Sequence, residues 1–170
     1  MSGFAVSETW QAPCGALALV AADGLLVRVV FRADPDAVAR ELARDFPDSR
    51  LRDVQVFRAA RLQLDGYFSG QLMTFDLPLD WNRVDGFYRR CLEELAQIPY
   101  GRTVSYGELA ALAGSPGAAR AVGSAMARNP WPLIIPCHRV LSAGGRQGGY
   151  SGGCGLASKS WLLEWEQRHL

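Results

Sequence analysis

The sequence predicts an α+β protein built in two parts, residues 1–80 and residues 81–170. In the first part, aliphatic and β-branched runs are followed by apolar residues at helical spacing, which is typical of a small mixed α/β unit. In the second part the helical spacing dominates, and a glycine-containing turn joins two short predicted helices. A chain of 170 residues is long enough to bury the core of one compact unit or of two small domains.

The first part begins with a predicted β-hairpin. Residues 15–20 and 25–31 form the two apolar runs, and Asp23-Gly24 between them is a dipeptide that favours a tight turn. Asp34-Pro35 then predicts a helix start, since the aspartate can cap the helix and the proline fits its first turn. A second helix is predicted over residues 54–68. We expect this part to be a scaffold.

Residues 78–85 form the predicted linker to the second part, and a helix follows that ends before Pro99. Its core face is predicted from apolar spacing to hold Phe87, Cys91, Leu92 and Leu95.

A helix-turn-helix is predicted next. Ser105 and Glu108 have the spacing of a capping box, and the core face of the helix they open is predicted to hold Leu109, Ala110 and Leu112. Gly114 is predicted to end that helix, and Ser115-Pro116 to start the next one with a cap and a first-turn proline.

The second helix of this pair is almost bare of bulky side chains between Ala118 and Ala127. Readers of the major groove present long polar side chains to base edges, and this helix offers only Arg120 and Arg128. A slim helix therefore favours sequence-tolerant contact with the minor groove, with a tightly packed core helix as the alternative. The charge distribution favours contact with the minor groove of DNA. The side chains of residues 1–85 have a net charge of −3 and those of residues 86–170 a net charge of +4, within a total of +1.

The chemistry is predicted to lie in the motif IIPCHRV at residues 134–140. A thiol attacks as its thiolate, and an imidazole beside Cys137 can accept the thiol proton directly or through one water. The alternative is a buried cysteine next to a chance histidine. The glycine-rich loop at residues 148–153 lacks the GK[ST] ending of a phosphate loop, which disfavours nucleotide binding.

Composition excludes several other classes of protein. No apolar run approaches the roughly 20 residues that span a bilayer, and no basic segment with an apolar core precedes the first strand. The four cysteines show no paired framework, so we expect a reducing, cytoplasmic location. Because no apolar run is long enough to span a bilayer, we expect no membrane partner.

Several motifs in unbroken order make residues 85–168 resemble the O6-alkylguanine-DNA alkyltransferases, the methylated-DNA–protein-cysteine methyltransferases. These are IPYG and VSYG at residues 98–107, RAVG at 120–123, NP at 129–130, PCHRV at 136–140, GGYSGG at 148–153 and KSWLLEWE at 159–166. The first part resembles the family more loosely, at residues 64–70 and 75–79. The resemblance implies a ribonuclease-H-like N-terminal domain over 1–80. It also implies a winged helix-turn-helix domain over 81–170 that binds DNA and carries the acceptor thiol.

The resemblance implies roles for individual residues. Cys137 would accept the alkyl group, and His138 would draw its proton through a bridging water. Glu166, counted seven residues on from Lys159, would orient the imidazole in preference to Glu164, and Asn129 would brace the turn before the nucleophile. Tyr106 would donate to guanine N3.

Other matching positions are implied to bind DNA or the target base. Arg120 would fill the space left by a flipped nucleotide, and the segment Tyr150-Ser151 would close over the base. Backbone groups of Cys137 and Val140 would read the exocyclic amine. The remaining implied DNA contacts are Gly107 and Ser115.

The implied activity is direct-reversal repair by irreversible, single-turnover transfer from O6-alkylguanine, and less well from O4-alkylthymine, in double-stranded DNA. We expect no cofactor and no metal, and a monomer whose cooperativity on DNA the sequence leaves open. Two alternatives are a lesion-binding relative that cannot accept the group, which Cys137 argues against, and a cysteine hydrolase. The sequence departs from the family pattern at residues 87–92, which lack the usual FQxxVW motif. The loop at 152–157 is about two residues longer than in the human-type sequence.

Overall fold

The computed structural model describes residues 3–170. The chain forms two compact units. The first unit extends to Asp80 and includes the short segment Gly152–Cys154, and the second comprises Trp81–Ser151 and Gly155–Leu170. A mixed sheet in the first unit and helices in the second confirm the predicted α+β class.

The first unit is built on a five-stranded sheet. Its strands are β1 Ala5–Val6, β2 Trp10–Ala12, β3 Gly15–Ala22, β4 Leu25–Arg32 and β5 Arg50–Leu51. β3 pairs antiparallel with β4 along one edge and with β2 and β1 along the other, and β1 pairs in parallel with β5. The predicted hairpin is confirmed: Ala22 pairs with Leu25, and both Asp23 and Gly24 have positive φ, as in a type I′ turn.

Two helices cover the sheet, α1 Pro35–Asp45 and α2 Gln55–Phe68. The predicted start of α1 is confirmed, since Asp34 Oδ1 accepts a hydrogen bond of 2.8 Å from the Ala37 amide. Val38 of α1 packs against alternate residues of β3 and against Val27 and Val30 of β4, and the intervening residues of β3 are buried too. Both faces of β3 are therefore covered, which makes this strand the centre of the first core.

The second unit contains four helices and one pair of short parallel strands. The helices are α3 Gly86–Ala96, α4 Tyr106–Leu112, α5 Ala119–Ala127 and α6 Leu156–Arg168, and the strands are β6 Val104–Ser105 and β7 Val140–Leu141. The capping box of α4 is confirmed: the Ser105 hydroxyl accepts from the Glu108 amide at 3.1 Å, and Glu108 Oε2 accepts from the Ser105 amide at 2.7 Å. The strand pair brings the start of α4 next to the segment that follows Cys137.

The predicted start of α5 is wrong. The helix begins at Ala119, and residues before it form a turn in which the Ser115 carbonyl accepts from the Ala118 amide. Gly117 has φ +87°, a left-handed conformation that a right-handed helix cannot contain. Ser115-Pro116 therefore opens this turn rather than a helix.

The prediction for Leu112 is also wrong, because this side chain is 53% exposed. Leu109 and Ala110 are fully buried as expected. Successive residues of a helix are about 100° apart. Leu112 therefore points roughly 110° away from the direction midway between Leu109 and Ala110, toward the exposed side of the helix.

No helix within residues 3–170 combines the length and apolarity needed to cross a membrane.

Candidate active site

A cavity of about 800 Å³ lies in the second unit, with the sulfur-bearing residue Cys137 in its wall. The start of α4, the exposed side of α5 and the loop before α6 form the rest of the wall. The lining residues are Ser105, Tyr106, Gly107, Ala119, Arg120, Gly123, Met126, Ala127, Cys137, Ser142, Ala143, Gly148, Gly149, Tyr150 and Ser151. Most of them are small or apolar, so the cavity suits a flat, hydrophobic guest more than a charged one.

Cys137 begins a single 3₁₀ turn, Cys137–Arg139, at the end of a continuously buried segment. Asn129 fixes the chain that precedes it. Its side-chain amide donates to the Ile135 carbonyl at 2.8 Å, and its Oδ1 accepts from the Trp131 amide at 3.0 Å. These two bonds close the loop between Asn129 and Cys137, and the bracing role predicted for Asn129 stays a prediction.

The Cys137 thiol is protonated at rest. Burial raises its pKa above the ordinary value, and only 7% of the residue is exposed. The side chain of Asn129, the positive charge of Lys159 and the side chain of Tyr150 act to lower the pKa, but they do not overcome burial. The sulfur is therefore a latent nucleophile surrounded by groups that favour its anion.

His138 is fully buried directly after the thiol, and its Nε2 lies 2.7 Å from Glu166 Oε1. Because a carboxylate only accepts, Nε2 carries the ring proton, and Nδ1 is left with its lone pair. Nδ1 has no hydrogen-bond partner among the described residues. Burial lowers the pKa of His138, against the opposing effect of Glu166, so the ring is neutral and able to accept a proton.

Glu166 is 1% exposed and joins three parts of the chain. Besides His138, it accepts from Arg139 Nε and Nη2 at 3.0 Å each and from the Gly101 amide at 3.0 Å. Burial alone would raise the pKa of Glu166, but the hydrogen bonds from His138 and Arg139 and the charge of Arg139 lower it to about 2. Glu164, the neighbour rejected on motif spacing, is exposed on the same helix.

Two buried cations at this site escaped the sequence analysis, Arg139 and Lys159. Arg139 Nη1 donates to the Ile98 carbonyl at 2.6 Å in addition to its bonds with Glu166. Lys159 Nζ donates to the carbonyls of Val140 at 2.7 Å, Gly149 at 3.3 Å and Gln147.

Burial lowers the pKa of Lys159 to about 8, against the opposing effect of Cys137. The spacing of Lys159 and Glu166, three residues before and four after the buried Leu162, could have indicated that all three share the buried face of α6.

The other predicted base-binding residues surround the cavity. Tyr106 is the first residue of α4, and its hydroxyl donates to the Gly149 carbonyl at 3.5 Å. Arg120 is exposed in the first turn of α5, and Tyr150 and Ser151 lie on the loop opposite. Gly107 also lines the wall. These residues surround one space although they come from three separate segments.

Two predicted contacts lie outside that lining. Ser115 sits in the turn before α5, and Val140 is fully buried in β7. The Val140 carbonyl accepts from Lys159 on one of its lone pairs. Their predicted roles toward DNA or the base stay predictions.

Comparison with known proteins identifies the family. Residues 86–168 match the family model for the DNA binding domain of 6-O-methylguanine DNA methyltransferase, and residues 6–81 match the model for its ribonuclease-like domain. A methylated-DNA–protein-cysteine methyltransferase of Mycolicibacterium paratuberculosis is 41% identical over 165 residues, which cover 95% of this chain and 92% of that protein. The chain belongs to the 6-O-methylguanine DNA methyltransferase family.

Further relatives extend this assignment. A family member from Methanosarcina acetivorans is 43% identical over 122 residues, covering 72% of this chain and 76% of that protein. Among solved structures, Mycobacterium tuberculosis OGT in complex with DNA has a TM-score of 0.79 at 38% identity, covering 97% of this chain and 94% of that chain. The O6-methylguanine-DNA methyltransferase of Pyrococcus kodakaraensis has a TM-score of 0.65 at 26% identity, covering 96% and 98%. The resemblance predicted from the motifs is confirmed.

Proposed function

We propose that this family member repairs DNA by direct reversal, transferring the alkyl group of O6-alkylguanine, and less well that of O4-alkylthymine, to the sulfur of its own Cys137. One observation supports this best. A single thiol faces a cavity of about 800 Å³ and is followed in sequence by a buried histidine–carboxylate pair. The names of the relatives, methylated-DNA–protein-cysteine methyltransferases, agree with it.

Activation of the sulfur requires that its proton leave a site where burial favours the neutral thiol. His138 is the base. Its Nδ1 lone pair is unused by the described residues, and its Nε2–H is held by Glu166, so a proton taken up at Nδ1 creates an imidazolium beside a carboxylate. A bridging water between Sγ and Nδ1 would complete the relay. The side chains of Asn129 and Tyr150, which lower the pKa of Cys137, then stabilise the thiolate.

Transfer is a single displacement at the alkyl carbon. The thiolate electron pair forms the S–C bond, the C–O6 bond breaks, and its electron pair remains on the purine. Tyr106, whose hydroxyl is directed across the cavity toward the Gly149 carbonyl, is suited to donate to guanine N3 and so to stabilise the departing base. The product thioether is a poor leaving group, and no cofactor enters the scheme, so each chain reacts once.

The base can reach the sulfur only if it leaves the DNA stack. The exposed face of α5 presents Ala121, Ser124 and Ala127 between Arg120 and Arg128, while Val122 and Ala125 are buried. A helix surface of this kind can approach the minor groove closely without reading bases, with an arginine at each end for phosphates or a vacated base position. Arg120 borders the cavity and is the residue that replaces the flipped nucleotide.

The protein acts on double-stranded DNA as a monomer in the cytoplasm.

Intact-protein mass spectrometry after incubation with duplex DNA containing O6-methylguanine tests the proposal. The expected result is one methyl group per chain, mapped to Cys137, with the guanine restored. Binding of the lesion without an adduct would instead identify a non-catalytic lesion-binding protein, and the absence of both binding and adduct would favour a cysteine hydrolase. Either result would overturn the proposal.

A further inference from the structure

Two cysteines of the first unit occupy neighbouring turns that the alkyl-transfer chemistry does not use. Cys14 is buried in the turn between β2 and β3, and Cys154 is exposed in the segment Gly152–Cys154. Neither is joined in a disulfide.

The backbones beside these thiols are in direct contact. The amide of Gly153 donates to the Phe31 carbonyl at 3.1 Å, and Gly153 forms a parallel bridge with Arg32 at the end of β4. A Cβ placed on Gly15 would lie 3.1 Å from the Gly153 Cα. Cys14 and Cys154 are the immediate chain neighbours of these two glycines, and Cys154 contributes to the raised pKa of Cys14.

We propose that Cys14 and Cys154 form a thiol–disulfide modification site that reacts with low-molecular-mass disulfides and closes as an intrachain disulfide. A disulfide needs Cα atoms about 4.4–6.8 Å apart, a separation that residues flanking two touching glycine backbones can reach. The site is independent of the repair chemistry, because both thiols lie outside the cavity that contains Cys137.

The reaction proceeds by two exchanges. The thiolate of Cys154 attacks a small disulfide, forming an S–S bond to one half of the reagent and releasing the other half as a thiolate. The Cys14 thiolate then attacks the Cys154 sulfur of this mixed disulfide and displaces the second half. The two protons lost by the protein end on the two reagent thiols, so one protein dithiol and one disulfide give one protein disulfide and two thiols.

Burial sets the order and pace of these steps. Cys154 is exposed and reacts first, whereas burial raises the pKa of Cys14 to about 12 and keeps its thiolate scarce. The second exchange is therefore slow and accelerates with rising pH. Closure would link the segment Gly152–Cys154 covalently to the β2–β3 turn. This segment directly follows the cavity-lining residues Tyr150 and Ser151 in the sequence.

The test is incubation of the full chain with glutathione disulfide, followed by tryptic mapping without reduction. Trypsin places the four cysteines in four different peptides. These are residues 1–28 for Cys14, 91–102 for Cys91, 129–139 for Cys137 and 147–159 for Cys154. We expect a glutathione adduct on the Cys154 peptide first. It should convert to a cross-linked peptide pair that contains Cys14 and Cys154, faster at pH 9 than at pH 7.

Matched variants make the outcome decisive. Cys14→Ser should stop at the mixed disulfide on Cys154, Cys154→Ser should leave Cys14 unmodified, and Cys91→Ser should behave as the parent. Lesion repair by Cys14→Ser reports whether the variant is folded. The proposal is overturned if the parent accumulates the mixed disulfide without a cross-link, or if Cys154 cross-links to Cys137 instead.

Discussion

Replacement of Glu166 by glutamine should weaken both the fold and the nucleophile. The amide keeps the size of the carboxylate but removes its charge, which leaves the guanidinium of Arg139 buried without an anion. Arg139 is only 5% exposed. Removing one partner of a buried ion pair costs about 3–5 kcal/mol. At roughly 2–4 °C per kcal/mol for a chain of this size, the melting temperature should fall by roughly 6–20 °C.

The pH dependence gives a second estimate of the same interaction. The pKa of Glu166 is lowered from 4.5 to about 2 in the folded chain, which corresponds to about 3 kcal/mol. A carboxylate whose pKa is lowered by folding stabilises the protein above its unfolded pKa, and this contribution is lost as the pH falls toward the folded pKa. The difference in stability between the parent and Glu166→Gln should therefore be full at pH 7 and shrink between about pH 4.5 and 2.

Thermal unfolding of both proteins across this pH range measures the effect, with Glu164→Gln as the control, because Glu164 is exposed two residues earlier on α6. Alkylation of Cys137 by iodoacetamide against pH provides the chemical readout. Its midpoint should rise in Glu166→Gln, since an amide cannot offset the imidazolium of His138. If Glu166→Gln melts like Glu164→Gln, the buried ion pair has been wrongly assigned, and an unchanged midpoint would show that another carboxylate orients the histidine.

Three further outcomes are expected. Cys137→Ser should abolish alkyl transfer and retain DNA binding, because a serine hydroxyl is too weakly acidic to be ionised here, and the parent should stop at one alkyl group per chain. Arg120→Ala should slow repair of duplex DNA roughly tenfold or more but barely change the reaction with free O6-benzylguanine, which needs no base flipping. Methylation of Cys137 should lower the melting temperature by several degrees, because added bulk in a packed site costs roughly 1–3 kcal/mol, and benzylation should lower it further.

Each of these has a measurement and a contrary result. Adduct mass and a gel-shift assay test Cys137→Ser, with Cys91→Ser as control, and several turnovers by one chain would exclude the single-turnover scheme. Single-turnover kinetics test Arg120→Ala beside Arg128→Ala, which removes an arginine from the same helix but not from the cavity wall; equal losses on duplex and free base would make Arg120 structural. A thermal shift assay compares the three forms of Cys137, and equal or higher melting of the alkylated forms would contradict the packing argument.

The elements that the sequence predicted well are those specified by local chemistry. Asp23-Gly24 determines its turn through positive φ, and Ser105 with Glu108 determines a helix start through two reciprocal hydrogen bonds. The start of α5 was mispredicted because Ser115-Pro116 satisfies the same local rules, and the left-handed conformation of Gly117 is not visible in the sequence.

The buried cations of the site depend on distant segments. Arg139 is neutralised by Glu166 and held by the Ile98 carbonyl, and Lys159 is held by carbonyls of Val140 and of the loop before α6. No pattern within a few residues of either side chain indicates these partners. The motif spacing could select Glu166 over Glu164, but not the size of the charge network around it.

The hydrogen bonds of Glu166 also bear on when during synthesis the protein becomes reactive. The carboxylate connects Gly101, the turn that contains His138, and α6, so the segments joined through Glu166 are separated by up to 65 residues of chain. A ribosome releases the N-terminal parts of a protein first. Cys137 and His138 therefore emerge while α6 is still missing, and the histidine has no carboxylate to hold its ring until residues around 166 have left the tunnel. Until then Cys137 lacks a histidine held by a carboxylate, and the proposed alkyl acceptor is complete only when α6 has packed against the turn that contains His138.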